Sequence, residues 1–125
     1  MNTIQELSKK INDNATEKGF WGNGVDIPEK LMLIVSEVSE AMEADRKGRF
    51  LGDGPRMHER EFETPDQFIE WFKANVKDTF EDELADAAIR IFDLAFQMKI
   101  DLDYHIRAKM KYNKNREFMH GGKKY

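Results

Sequence analysis

Apolar residues recur at helical spacing along most of this chain, and no segment alternates with period two for long enough to predict a strand. Thr3 with Glu6 has the spacing of a capping box, and Ile4, Leu7, Ile11 and Ala15 then follow one helical face until Gly19. Asp26 with Glu29, and Pro28 in the first turn, open a second helix with the apolar stripe Leu31, Ile34, Val35, Val38, Ala41 and Met42, ending near Gly48. Thr64, Pro65 and Gln67 start a short third helix that carries Phe68, Ile69 and Phe72 inward. Asp78 or Thr79 caps a fourth running through Met98, and Asp101 or Asp103 caps a fifth from Leu102 to about Asn113. The pattern predicts an all-α bundle of four to five helices.

Between the second and third helices, "RKGRFLGDGPRMHEREFE" holds three of the eight glycines and one of the three prolines, so it reads as a long loop excursion with room for a short hairpin. The tail from Asn113, "NKNREFMHGGKKY", is basic and glycine-containing, and is expected to be irregular or ordered by a ligand.

A helical wheel singles out two acidic pairs. Glu37 and Glu40 lie about 60° apart, beside the main apolar stripe and on a strip that also holds Leu33 and Ala44. In the fourth helix, Phe80, Leu84, Ala87, Ala88, Ile91, Leu94 and Ala95 join Ala85, Ile89, Phe92 and Phe96 in an apolar arc wider than half the circumference. One polar stripe is left, occupied by Glu83, Asp86, Arg90 and Asp93. A plain solvated face with an Asp86–Arg90 pair at i,i+4 spacing accounts for one such helix. Two embedded helices that each place like charges three residues apart call for a cation to offset the repulsion. Side by side they bring four carboxylates together, a donor set for one or more Mg²⁺ ions, with Mn²⁺ as the alternative.

Composition narrows the chemistry. The 125 residues are the size of one domain, residues 1–125. The absence of cysteine excludes thiolate metal sites and leaves oxygen or imidazole ligands. Charged residues make up 35% of the chain but nearly cancel at a net charge of −4, which gives no electrostatic case for binding long nucleic acids. No apolar run is long enough for a bilayer, and "MNTIQELSKK" lacks the apolar stretch of a signal peptide, so the expectation is a soluble, cytoplasmic protein without a membrane partner.

Taken together, "EVSEAMEADR", "EDELADAAIRIFDLA" and "KMKYNKNREFMHGGKKY" resemble the MazG-like, all-α nucleoside triphosphate pyrophosphohydrolase superfamily, marked by ExxE on one helix and ExxD on a later one. The resemblance runs from "GFWGNG" to the tail. It implies a helical bundle assembled as a homodimer or homotetramer, with Mg²⁺ held by Glu37, Glu40, Glu83 and Asp86, which also form the catalytic set. The implied reaction is hydrolysis of a nucleoside triphosphate to the monophosphate and pyrophosphate. The stretch from Asp45 to Thr79 is longer than is usual in compact family members, so substrate specificity does not carry over with the resemblance.

The chemistry of the residues agrees with that expectation. Water attacks the α-phosphoryl group of a polyanion only where cations neutralise it, and a loosely held glutamate can take the water proton. Lys109, Asn113 and Arg116 fit the family's basic and amide residues near the C-terminus and are the expected phosphate contacts, with Lys123 a weaker one. Phe20 and Trp21, flanked by glycine, either stack on a base as part of the substrate site or plug the end of the bundle. Trp71 is a candidate for a subunit contact or for the base.

Three alternatives share parts of the pattern. A carboxylate-bridged di-iron bundle needs two ExxH motifs, and only Glu117–His120 has that spacing, next to Gly121 and Gly122. A phosphoribosyl-ATP pyrophosphatase would share the carboxylates and the leaving group. A non-catalytic oligomeric protein would use the wide apolar face of the fourth helix to bind a partner and would have no reason to bind Mg²⁺.

Overall fold

The computed structural model describes residues 3–52 and 61–116, which form five helices and no strand. These are α1 (Ile4–Glu17), α2 (Ile27–Arg46), α3 (Pro65–Asn75), α4 (Phe80–Gln97) and α5 (Leu102–Asn115). No described helix is long and apolar enough to cross a membrane. Residues 53–60 of the excursion, where a short hairpin had room, His58 among them, lie outside the described residues, as do Lys123 and the Glu117–His120 pair.

Each helix begins where a side chain accepts the hydrogen bond of an otherwise orphaned N–H. Thr3 Oγ1 accepts from Glu6 N–H at 3.1 Å while Glu6 Oε1 accepts from Thr3 N–H at 3.4 Å, closing the capping box of α1. Asp26 accepts from Glu29 N–H at 3.1 Å, Thr64 from Gln67 N–H at 3.2 Å, and Asp101 from Tyr104 N–H at 3.1 Å. For α4 the cap is Thr79, whose Oγ1 accepts from Asp82 N–H at 3.2 Å, while Asp82 Oδ2 accepts from Asp78 N–H at 2.9 Å. Asp78 takes a positive φ of 67°, a left-handed turn that aspartate tolerates better than most residues. Gly19 and Gly48, at φ 81° and 69°, end α1 and α2 in the same left-handed conformation.

The chain packs as two compact units, residues 25–91 and residues 1–24 with 92–125, so one boundary falls inside α4. In the first, α2 and the start of α4 are tied through the beginning of the excursion. Phe80 N–H donates to Arg49 O at 2.8 Å, and the Glu81 carboxylate accepts from Leu51 N–H at 2.9 Å and Gly52 N–H at 2.7 Å. The Phe50 and Phe80 rings lie 5.0 Å apart over this clasp. Arg90, further along α4, reaches back to Glu37, further up α2, so the two helices run antiparallel. The excursion then leads into α3, where Phe68 lies among Phe62, Trp71 and Phe72 at ring separations of 5.6–6.2 Å.

In the second unit α1 packs against α5. Asn12 Nδ2 donates to Asp93 Oδ1 and to Gln97 Oε1, both at 2.9 Å, and the Trp21 indole N–H donates to the Asp93 carboxylate at 3.1 Å. All three of Asn12, Trp21 and Asp93 are buried, so this network satisfies polar groups that burial would otherwise penalise.

The faces that turn inward overlap only in part with those the wheel selects: Ala41 of the α2 stripe and Ala87 and Ala95 of the α4 arc are buried. On α2 the buried residues are Lys30, Ala41 and Ala44, with Leu33, Ile34 and Glu37 half-buried, while Leu31, Val35, Val38 and Met42 are exposed. On α4, Leu84, Ile89 and Ile91 are exposed, whereas Glu83 and Asp93 from the polar stripe are 3% and 5% exposed. The reason is the partner: hydrogen bonds and the clasp orient each helix, and a chain this short has too few elements to cover every apolar face.

Candidate metal centre

Three of the four expected ligands converge. Glu37 from α2 and Glu83 and Asp86 from α4 each bring one carboxylate oxygen within 4.8 Å of the other two. The ExxD spacing puts Glu83 and Asp86 on one side of α4, and the antiparallel run of α2 brings Glu37 opposite them. Glu40, one turn further along α2 toward the clasp, is exposed and stands beside Glu83, close enough for a hydrogen bond when one of the two is protonated.

The electrostatics of this arrangement are unfavourable to four free carboxylates. Burial, hydrogen bonding to Glu40 and the charges of Glu40 and Asp86 push the Glu83 carboxyl from 4.5 up to about 7. Asp86 is also raised, first by burial and then by Asp82 and Glu37, with Arg90 acting in the opposite direction. Glu83 Oε2 is buried without a hydrogen-bond partner. With oxygen donors only and an unpartnered buried oxygen among them, Glu37, Glu83 and Asp86 are a group that could hold a hard divalent cation. Arg90 Nε, 3.0 Å from Glu37 Oε1, offsets part of the charge. Its charge also acts on Asp86, one turn earlier on α4.

A second acidic group was not legible as such. Asp78, Asp82 and Glu83 also hold oxygens within 4.8 Å of one another, so Glu83 belongs to both groups. The acidic run at Glu81, Asp82 and Glu83 was its signal, but capping accounts for Asp78 and Asp82 locally. Glu83 and Asp78 also line a cavity of about 330 Å³ with Glu40, Glu43 and Arg49.

The expected substrate residues lie in the unit of residues 1–24 and 92–125. Lys109, Asn113 and Arg116 are exposed on and just after α5, and Lys109 Nζ and Arg116 Cζ lie 4.7 Å and 6.0 Å from the Tyr112 ring centroid. Trp21 is 8% exposed and edge-on to Phe20 at 5.5 Å, with its N–H committed to Asp93. Trp71 is half-buried within the α3 aromatic group. His105 is exposed and edge-on to Tyr104.

No protein-family model, no curated protein and no solved structure matches this chain.

Proposed function

We propose that this chain is a Mg²⁺-dependent nucleoside triphosphate pyrophosphohydrolase of the MazG-like kind that its acidic motifs resemble. The observation that carries the reading is Glu83: buried, with an unpartnered oxygen, and enclosed by Glu37, Glu40 and Asp86. Metal-free, Glu83 and Asp86 are both shifted toward their protonated forms, which suits residues whose working state includes a bound cation. Glu37, Glu83 and Asp86 would hold the ion, with Glu40 beside them. When bound, the ion supplies neutralisation of the phosphate charge and acidification of water.

The chain's own residues do the rest. Arg90 holds the Glu37 carboxylate in place from α4. Glu40, next to Glu83 but outside the set of three, accepts the proton of the attacking water. The water oxygen bonds to the α-phosphorus, the bond from that phosphorus to the α–β bridging oxygen breaks, and pyrophosphate leaves. The exposed strip Leu31, Val35, Val38 and Met42 supports assembly as a homodimer or homotetramer, since single chains seldom leave such a run uncovered.

The test is a panel of ribo- and deoxynucleoside triphosphates incubated with Mg²⁺, with pyrophosphate and orthophosphate detected separately. Pyrophosphate and monophosphate in equal amounts, lost on chelation, are expected. Orthophosphate alone, or no turnover of any member, would overturn the reading.

A further inference from the structure

Beside the carboxylates, a cavity of about 380 Å³ opens between α3 and the first half of α4. Phe68, Ile69 and Phe72 form its apolar wall, Lys73 and Lys77 its basic edge, and Asp78, Asp82 and Asp86 the side it shares with the acidic centre. Its volume is in the range of small-molecule sites, and a mainly apolar wall with a few charged groups is the usual character of such sites. We propose that this cavity is the nucleotide subsite of the centre, with the base against Phe68 and Phe72 and the phosphates on Lys73 and Lys77. The inference rests on the reading of the centre as a triphosphate site.

Three features favour that occupant. The Phe68 and Phe72 rings lie 6.0 Å apart and tilted by 43°, and both are half-buried, so they offer aromatic surface to a flat ring. Lys73 has no ion pair among the described residues. Lys77 Nζ is 3.5 Å from Asp78 Oδ2, but both side chains are more than half exposed, and such a pair yields readily to a competing phosphate. A bare polyanion would meet Asp78, Asp82 and Asp86 as well, whereas a triphosphate carrying a divalent cation meets lysines with its phosphates and carboxylates with its metal. Asp86 belongs both to this cavity and to the Glu37–Glu83–Asp86 group, so one ligand can touch both.

The subsite is built on α3, which lies wholly within the extended stretch between the two acidic motifs. It therefore supplies phosphate contacts from residues 25–91 themselves.

The test uses the full chain with Mg²⁺ and the α,β-methylene analogues of ATP, GTP, CTP and UTP, titrated calorimetrically, and steady-state kinetics on the matching triphosphates. The double variant Lys73→Ala/Lys77→Ala should weaken analogue binding and raise KM at least tenfold, with kcat changed less than threefold and Mg²⁺ binding without nucleotide unchanged. Phe72→Leu should alter the ranking of the four bases. The exposed pair Lys9→Ala/Lys10→Ala controls for net charge and should leave all of this as in the wild type. If the wild type hydrolyses triphosphates while both cavity variants keep its KM and base ranking, the subsite is overturned and the centre stands. If the wild type neither binds an analogue nor hydrolyses a triphosphate, the centre falls and the subsite with it.

Discussion

Arg90 on α4 donates through Nε to Oε1 of Glu37 on α2 at 3.0 Å, placing a guanidinium within the acidic group that the two helices assemble. Both side chains are mostly buried, so the bond is stronger than a surface ion pair, and its loss leaves Glu37 facing Glu83 and Asp86 uncompensated. Arg90→Met should lower the metal-free melting temperature by roughly 4–10 °C, corresponding to about 1–3 kcal/mol. Saturating Mg²⁺ should recover a larger increment in this variant than in the wild type, because the ion takes over part of the missing charge. Equal Mg²⁺ increments in the two proteins would show that Arg90 does not share its role with a cation.

The raised Glu83 carboxyl predicts an unusual pH dependence. Because its folded value of about 7 lies above its ordinary 4.5, the folded state binds more protons than the unfolded state between those values. The sign is therefore negative: the contribution of Glu83 to metal-free stability falls as pH rises from about 4.5 to about 7 and stays low above that. Glu83→Gln should remove this slope and be at least as stable as the wild type at pH 8 without metal. Urea unfolding across pH 4.5–8 checks it, and a variant with the wild-type slope would place the titration elsewhere.

The same substitutions separate charge from shape in the proposed reaction. Glu83→Gln and Glu40→Gln keep the size and helix propensity of the side chain, and each should reduce pyrophosphate release by orders of magnitude in a folded protein. Glu29→Gln, at the exposed start of α2, should leave it intact. Wild-type turnover in both Glu40→Gln and Glu83→Gln would remove the centre from the mechanism.

On the proposed reading Mg²⁺ should raise the melting temperature of the wild type, and more so with an α,β-methylene triphosphate present, since ligands that bind only the folded state stabilise it. Differential scanning fluorimetry with and without each component reads this directly. An unchanged melting temperature with both present would count against a metal–nucleotide site.

Away from the centre, Asp93→Ala leaves the buried Trp21 N–H without its acceptor and deprives Asn12 of one of its two. It should cost about 2–5 kcal/mol and red-shift the tryptophan emission as Trp21 gains water. A variant as stable as the wild type would mean that the network contributes little beyond packing.

Helix positions were readable because capping is local: Thr3, Asp26, Thr64, Thr79 and Asp101 each accept from an N–H three residues ahead, and no distant residue is needed. The acidic spacing was equally local, and it places Glu83 and Asp86 on one side of α4 whatever surrounds them. Which side faced inward was not local. The wheel turns Leu31, Ile34, Val35, Val38, Ala41 and Met42 toward a core, and of these Ala41 is buried and Ile34 half-buried, whereas the clasp of Glu81 on Leu51 and Gly52, with the Arg90–Glu37 bond, turns Lys30 and Ala44 inward and leaves Leu31, Val35, Val38 and Met42 exposed.

The same holds for the candidate site. From its residues alone the chain determines an all-helical fold, the starts of its helices, and two acidic pairs at one-turn spacing. The tertiary structure decides that Glu37, Glu83 and Asp86 meet while Glu40 stands beside them, that Asp78 and Asp82 form a second group around Glu83, and that Trp21 is committed to Asp93. The division has one physical cause. Side chains three and four residues apart are held at a fixed separation by the helix itself, while the meeting of α2 with α4 depends on a few hydrogen bonds between residues 29 to 53 positions apart.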